Sequence, residues 1–317
     1  MLRVYCVEVR KRTSTHPTGR QVDRCGRVVG VLTCQNGAPK RLELAAGNHI
    51  VPPSGHDPLP NPGSGRWPSP FATGNADDKA GWSKLCNLQR RILPQIAPAV
   101  PGYRLFLAYR PAFVVTGDYH DFFRRADGNT AVFLGDGSGH GPAASMLMAI
   151  MRTILQTHDV HHDPGDTLYR AGALFHRLIP SDLFMTGLYL VLAPGGRVHW
   201  AAAGHHPPLW VNHRGRVSTV DLNQVGPVLG FDPEPYQTVS WTVEVGDRLL
   251  LFTDGLWDAR SKIGEPFGRQ RLREYFTNSL DRPLVDVVNG LLAKVTAHME
   301  GAEFEDDFTI LGIERTG

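Results

Sequence analysis

The chain has 317 residues, 42% of them hydrophobic and 20% charged, with a formal net charge of +2. That is the composition of a globular protein, and it excludes collagen-like and highly charged disordered chains. No apolar run reaches the roughly 18 residues a membrane span requires, no signal peptide is visible, and no basic stripe interleaved with aromatics offers a nucleic-acid surface.

Residues 1–80 carry 11 Lys+Arg against 6 Asp+Glu, whereas the remainder carries 22 against 25. Two β-like runs, "RVYCVEV" and "RVVGVLTC", precede "VPPSGHDPLPNPGSGRWPSP". A stretch so rich in Pro, Gly and Ser buries little surface and reads as linker or disorder. The two runs suit a hairpin, which alone is marginal in water. The expected division is therefore a largely disordered or linking segment over 1–80 and one folded domain over 81–317. Cys6, Cys25, Cys34 and Cys86 show no Cys-x-x-Cys spacing, so neither a zinc site nor a disulfide framework is expected, and a reducing cytoplasmic setting is.

From "WSKLCNLQRRILPQI" the pattern becomes helical. Leu85, Leu88, Ile92 and Ile96 recur at helical spacing, with Pro94 interrupting or ending the helix. "GYRLFLAYRPA" reads as a strand, and "TGDYHDFFRRADGNTAVFLGD" as strand, turn and strand. A helix opens near Pro142, whose fixed φ suits a first turn. Ala143, Leu147, Ile150 and Ile154 form its apolar stripe, and Met146, Met148 and Met151 widen it as core residues. "FMTGLYLVLAPGGRVHWAAAG" is a hairpin about Pro-Gly-Gly. "GDRLLLFTDG" is a strand ending in Asp254, "LVDVVNGLLAKVTAHM" an amphipathic helix, and "EDDFTILGIE" a final strand entered through Asp306 and Asp307. Hairpins with separate helices, lacking strict βαβ alternation, predict α+β layers.

One relationship stands out. If 118–125 pairs with 129–136 about "ADGN", residue i faces residue 254 − i, and Asp118 lies opposite Asp136, about 4.5–5.5 Å apart. Like charges so placed destabilise a sheet unless a cation lies between them. Asp254 and Asp306 repeat the arrangement, an acid where an apolar strand meets a loop. Converging, the four carboxylates make an all-oxygen site suited to Mg²⁺ or Mn²⁺ rather than zinc. Gly137 permits close approach of its carbonyl to an ion. Taken singly, each Asp is equally a turn former or helix cap.

The ordered motifs "LQRRILPQ…YRP…TGDYHD…LGDGSGHGPAA…FMTGLYLVL…AAAGHHPPLW…GDRLLLFTDG…EDDFTIL" resemble the SpoIIE/RsbU-type branch of the PPM metal-dependent protein serine/threonine phosphatases, over about residues 85–315. The resemblance implies a sandwich of two antiparallel sheets with helices on both outer faces. It implies two divalent cations, Mn²⁺ or Mg²⁺, held by Asp118, Asp136, the Gly137 carbonyl, Asp254 and Asp306. Asp118, Asp136 and Asp254 would serve catalysis, with Asp136 bridging both ions. Asp121 and Asp307 would lie just outside the ligand set. The implied reaction is hydrolysis of phosphoserine or phosphothreonine without a covalent phosphoenzyme, on a regulatory phosphoprotein such as a STAS-type anti-sigma-factor antagonist in partner switching. An upstream sensor protein or a homodimer fits the same pattern. Departures from the family motifs are Thr116 for a glycine, Gly137 where the branch often has Val, and Asp258 for Glu. None removes a ligand.

Other residues tempt. His140 is a candidate proton donor to the leaving alkoxide, although the eukaryotic relatives place their motif histidine at the position of Ser138. Arg110 suits a phosphate through its fork, and equally an ion pair. His205 and His206 read as packing or loop shaping, and "THDVHHD" as a solvated loop. Ser138 fails the Gly-x-Ser-x-Gly elbow, since residues 136 and 140 are Asp and His. Two other readings stand beside the phosphoprotein phosphatase: a pseudophosphatase that grips a partner without turnover, and a hydrolase of small phosphomonoesters. The helix after Gly141 lies close enough to Asp136 for its movement to regulate metal binding.

Overall fold

The computed structural model describes residues 3–7 and 76–317, except 158–162 and 219–223. One sheet runs in the order β1 (Arg3–Val7), β2 (Tyr103–Arg110), β12 (Phe308–Arg315), β11 (Arg248–Phe252), β7 (Leu209–Val211) and β8 (Val217–Ser218). The other runs β10 (Val239–Thr242), β6 (Arg197–Ala203), β5 (Met185–Leu192), β4 (Thr130–Gly137) and β3 (Asp118–Arg124). Pairing is antiparallel apart from the short β9 (Val225–Gly226), which lies parallel to β6. This is the α+β sandwich expected from the hairpin pattern.

The period of two along each strand sorts side chains into layers. Leu105, Leu107, Leu249, Leu251, Leu311 and Ile313 of the first sheet meet Val132, Leu134, Leu188, Leu190 and Trp200 of the second, all buried between the sheets. The alternate residues face outward onto helices. Phe106, Leu250, Phe252 and Ile310 pack beneath α5 (Leu284–His298), while Tyr119, Phe133 and Tyr189 pack beneath α2 (Pro142–Thr157) and α3 (Pro164–Leu178). Trp200 is wholly buried; a large apolar side chain removed from water in this way contributes about 1.5–3 kcal/mol.

Two expectations change. The predicted stripe is only partly buried: Leu85 and Ile92 of α1 (Ala76–Ile92) are half-buried, whereas Leu88 is 56% exposed and Ile96, beyond the helix, 52%. The helix turns Gln89 and Leu93 inward, because Gln89 closes two hydrogen bonds with the backbone of Thr116, donating to its carbonyl at 2.7 Å and accepting from its amide at 2.8 Å. In α2, Met148 and Met151 are core residues but Met146 is 58% exposed and Ala143 faces solvent. Of the two β-like runs, "RVYCV" pairs with β2, and "RVVGVLTC" lies outside the described residues. The run 158–162 of "THDVHHD" also lies outside them, and Asp163 caps α3 by accepting from the Asp166 amide.

Candidate active site

The pairing of β3 with β4 sets Asp118 directly opposite Asp136. Parity does the rest. Asp118 and Asp136 share the inward face with Phe122, Val132 and Leu134, so they stand at the open end of the layer between the sheets. From the opposite sheet, Thr253 and Thr309 carry the same inward parity as Leu251 and Leu311. Both hydroxyls donate to Asp118 Oδ2, at 2.9 and 2.6 Å. Asp254 follows β11 in a 3₁₀ turn (Asp254–Leu256), and Asp306 precedes β12. The ends of four strands therefore converge.

Electrostatics show how closely they converge. Burial, then Asp136 and Asp307, holds Asp118 well above the usual carboxylate range. Asp136 is pushed up to about 8 by burial and by the charges of Asp254, Asp306 and Asp307. Asp254 is close enough to Asp136 to raise it further, while Asp136 lowers Asp254 in return. Asp254 is raised by burial and by Asp258, and Asp306 is raised to about 6, chiefly by burial. No Lys or Arg forms an ion pair with any of these acids among the described residues.

Asp307 has a different task. Its Oδ1 accepts from the Ala112 amide at 2.7 Å and its Oδ2 from the Gly117 amide at 2.8 Å, clamping the loop that delivers Asp118. Thr116 hydroxyl accepts from the Asp118 amide at 2.9 Å, so the departure from glycine is built into that loop. Gly117 is tightly enclosed: a Cβ there would lie 2.8 Å from Ala144 Cβ and 3.1 Å from the Gly137 carbonyl oxygen. The first turn of α2 thus rests directly on the loop.

Asp121 does not join the cluster. Three residues from Asp118, it points to the other face of β3, where Tyr119 hydroxyl and Gln156 Nε2 donate to its Oδ2 at 2.8 and 2.7 Å. Arg152 lies 3.8 Å away. It anchors α2. His140 is exposed, stacked on Phe113 at 4.6 Å, and close enough to lower the pKa of Asp306 and Asp307. Arg110 lies over the Phe304 ring, 5.2 Å from its centroid, and burial lowers its pKa. Neither makes a hydrogen bond to the four acids. Ser138 is no nucleophile: its hydroxyl accepts from the Phe184 amide at 3.0 Å.

On the inner wall, sequence reasoning named Asp136 and Asp254 and read His205 and His206 as packing or loop shaping, but missed Thr186, Trp257 and Arg269. A cavity of about 370 Å³ is lined by Asp136, Thr186, His205, His206, Asp254, Trp257 and Arg269, among others. His205 is fully buried, and burial lowers its pKa to about 4. Its Nε2 lies 3.1 Å from the Phe252 carbonyl, which only accepts, so that nitrogen carries the proton; Nδ1 then accepts from Thr186 hydroxyl at 2.8 Å. His206 stacks on His205 at 4.3 Å and meets Trp257 at a tilt, 4.4 Å between centroids.

Do the acids suit a cation? Among the described residues, no three His, Cys, Asp or Glu side chains stand as a finished chelate. Yet Asp118 Oδ1 and Asp254 Oδ1 are buried without a hydrogen-bond partner. Buried acceptors left unmet beside other carboxylates carry a cost that a cation removes. The all-oxygen donor set fits Mg²⁺ or Mn²⁺.

Residues 126–316 match the family described as Stage II sporulation protein E (SpoIIE). The chain belongs to the SpoIIE family. Among curated proteins it is 27% identical to Protein IcfG of Synechocystis over 72% of its own length and 40% of the relative's. It is 22% identical to the phosphoserine phosphatase RsbU of Bacillus subtilis, over 72% of this chain and 68% of the relative. The chain thus spans well under half of the first relative. Among solved structures, the SiaA-PP2C domain of Pseudomonas aeruginosa shares the fold, with a TM-score of 0.67, 20% identity, and coverage of 77% of this chain and 99% of that one. Fold and family agree with the SpoIIE/RsbU-type PPM resemblance read from the motifs.

Proposed function

We propose that this chain is a metal-dependent protein serine/threonine phosphatase. The observation that carries the reading is Asp118 facing Asp136 at the end of the inter-sheet layer, with Asp254 and Asp306 beside them and no basic ion-pair partner for any among the described residues. Asp118, Asp136, Asp254, Asp306 and the Gly137 carbonyl would hold two divalent cations, Mn²⁺ or Mg²⁺. Once bound, such ions supply Lewis acidity to the phosphoryl oxygens and acidify a water ligand.

The chain itself supplies orientation. Thr253 and Thr309 fix the rotamer of Asp118 and stabilise its charged form, offsetting part of the burial cost. Asp307 and Gln89 hold the preceding loop from two sides. Neutral His205 locks Thr186, which pairs with Asp136 across β5, to the end of β11. The cavity opening on Asp136 and Asp254 is the entry for a phosphorylated side chain.

The substrate we propose is a phosphoserine- or phosphothreonine-bearing regulatory protein of the cytoplasm, a STAS-type antagonist in a partner-switching pathway. The RsbU relative, named as a phosphoserine phosphatase, supports the substrate class. The departure at Thr116 does not favour a pseudophosphatase, since its hydroxyl serves the Asp118 loop.

Hydrolysis of a phosphoserine peptide and of p-nitrophenyl phosphate, with Mn²⁺, Mg²⁺ or EDTA, tests the reading. Metal-dependent turnover by wild type that disappears in Asp136→Asn is expected. Folded wild type without turnover in either metal sinks it. Turnover of p-nitrophenyl phosphate without turnover of the peptide points instead to a small-phosphomonoester hydrolase.

A further inference from the structure

The cavity that opens on Asp136 and Asp254 has a second wall to which hydrolysis alone gives no role. Trp257 and Arg269 form it, together with His206. Trp257 is buried, held edge-on against Phe252 at 5.2 Å and against His206 at 4.4 Å. The guanidinium of Arg269 lies over its ring, 3.9 Å from the centroid. The aromatic face therefore fixes the plane of the fork while leaving its edge of N–H donors open.

Apart from its contact with Trp257, no described group holds this arginine in place. No described acid pairs with it, and the nearby Glu265 is taken by Arg271 at 2.5 Å. Arg269 is also the first residue of α4 (Arg269–Thr277), a helix whose Gly268 cap offers no side-chain acceptor and whose first turn has no acid. A cation there faces the helix's own positive end. The other titratable groups on this wall, His205 and His206, are buried rings that favour the neutral form. Among the described residues, Arg269 is thus the permanent cation lining this cavity. A residue set against its own helix's positive end and held only by an aromatic ring marks a functional position.

We infer that Arg269 is a substrate-binding residue: presented by Trp257, its guanidinium takes an anionic group of the phosphoprotein as the phosphorylated side chain enters toward Asp136 and Asp254. That anion is either the phosphoryl group itself or a carboxylate flanking the phosphorylated residue. Both are planar-fork ligands of arginine. The inference rests on the phosphatase reading and deepens it.

The test compares wild type with Arg269→Gln and Arg269→Lys on two phosphoserine peptides, one with acidic and one with neutral flanks, together with inhibition by inorganic phosphate. Arg269→Gln raises KM about tenfold for the acid-flanked peptide with kcat little changed, and Arg269→Lys recovers part of the loss. If the phosphoryl group is the ligand, KM for both peptides and the inhibition constant of phosphate rise together. If a flanking carboxylate is the ligand, only the acid-flanked peptide suffers. Arg269→Gln with unaltered constants for both peptides and for phosphate overturns the inference. Wild type that hydrolyses neither peptide overturns the phosphatase reading instead. The acid-flanked phosphopeptide, fluorescently labelled, is then titrated against wild type and Arg269→Gln by polarisation. Weaker binding by the variant keeps the Arg269 site, and equal binding removes it.

Discussion

Thr309 and Asp118 come from different sheets, yet the threonine hydroxyl donates to Asp118 Oδ2 at 2.6 Å. With Thr253 donating to the same oxygen, one side of the carboxylate is satisfied by the fold and Oδ1 is left for a ligand. Thr309→Val keeps the shape and the β propensity of the position while removing one donor. Groups that orient a metal ligand typically cost 10–100-fold in metal affinity when lost, so about a tenfold weaker Mn²⁺ affinity is expected, measured by titration against thermal stability. Unchanged affinity would show that Asp118 needs no such support.

The opposed pair Asp118 and Asp136 makes the metal-free protein pH-sensitive. The folded-state pKa of Asp136, about 8, lies above the ordinary carboxylate value, so the folded state holds a proton that the unfolded chain releases. Stability therefore declines as pH rises from about 4 through about 8. Asp136→Asn removes the charge. In EDTA the variant should be the more stable protein, by about 1 kcal/mol for relief of an opposed like-charge pair, with the gap widest above pH 8. Chemical denaturation across pH 5–9 measures it, and a variant less stable at every pH contradicts the assignment.

Asp121 separates a structural acid from a site acid. Its partners are Tyr119, Gln156 and Arg152, all on the helix side of β3. Asp121→Ala should destabilise the protein by about 1–3 kcal/mol through unmet buried donors, and leave Mn²⁺ affinity unaltered. A loss of metal affinity without a loss of stability would reverse that placement.

His205 sets the acid limit. Its pKa falls from 6.5 to about 4 on burial, so the unfolded chain binds the proton more tightly. The contribution is complete above pH 6.5 and is lost as pH falls through 4; the shift corresponds to about 3 kcal/mol. His205→Gln, whose side-chain amide can still reach the Phe252 carbonyl, should flatten the decline of stability between pH 6.5 and 4. A variant as acid-sensitive as wild type would place the proton uptake elsewhere.

Much of this geometry was legible in the chain. Counting across "ADGN" placed Asp118 opposite Asp136, because a hairpin with an identifiable turn has little freedom of register. The same period of two could have separated Asp121 from Asp118, since an odd spacing of three sends them to opposite faces. The family resemblance, which aligned both acids with one motif, obscured it. Thr253 and Thr309 were illegible for another reason. Their importance depends on how two sheets stack, and no local pattern encodes an inter-sheet contact between residues 135 and 191 positions away. Leu88 and Ile96 misled because helical spacing identifies a stripe without saying that a buried glutamine one residue on will outrank it. Arg269 carried no signal until Trp257 was placed beneath it.

The central claim is that strand-end carboxylates make one site for two cations. Electron paramagnetic resonance of free Mn²⁺, titrated into wild type and into Asp136→Asn, tests it most directly. Wild type should remove two equivalents of Mn²⁺ from the free signal, and the variant should lose most of that capacity while remaining folded. Wild type that leaves the free signal intact, or a variant that binds as many ions as wild type, would contradict the account.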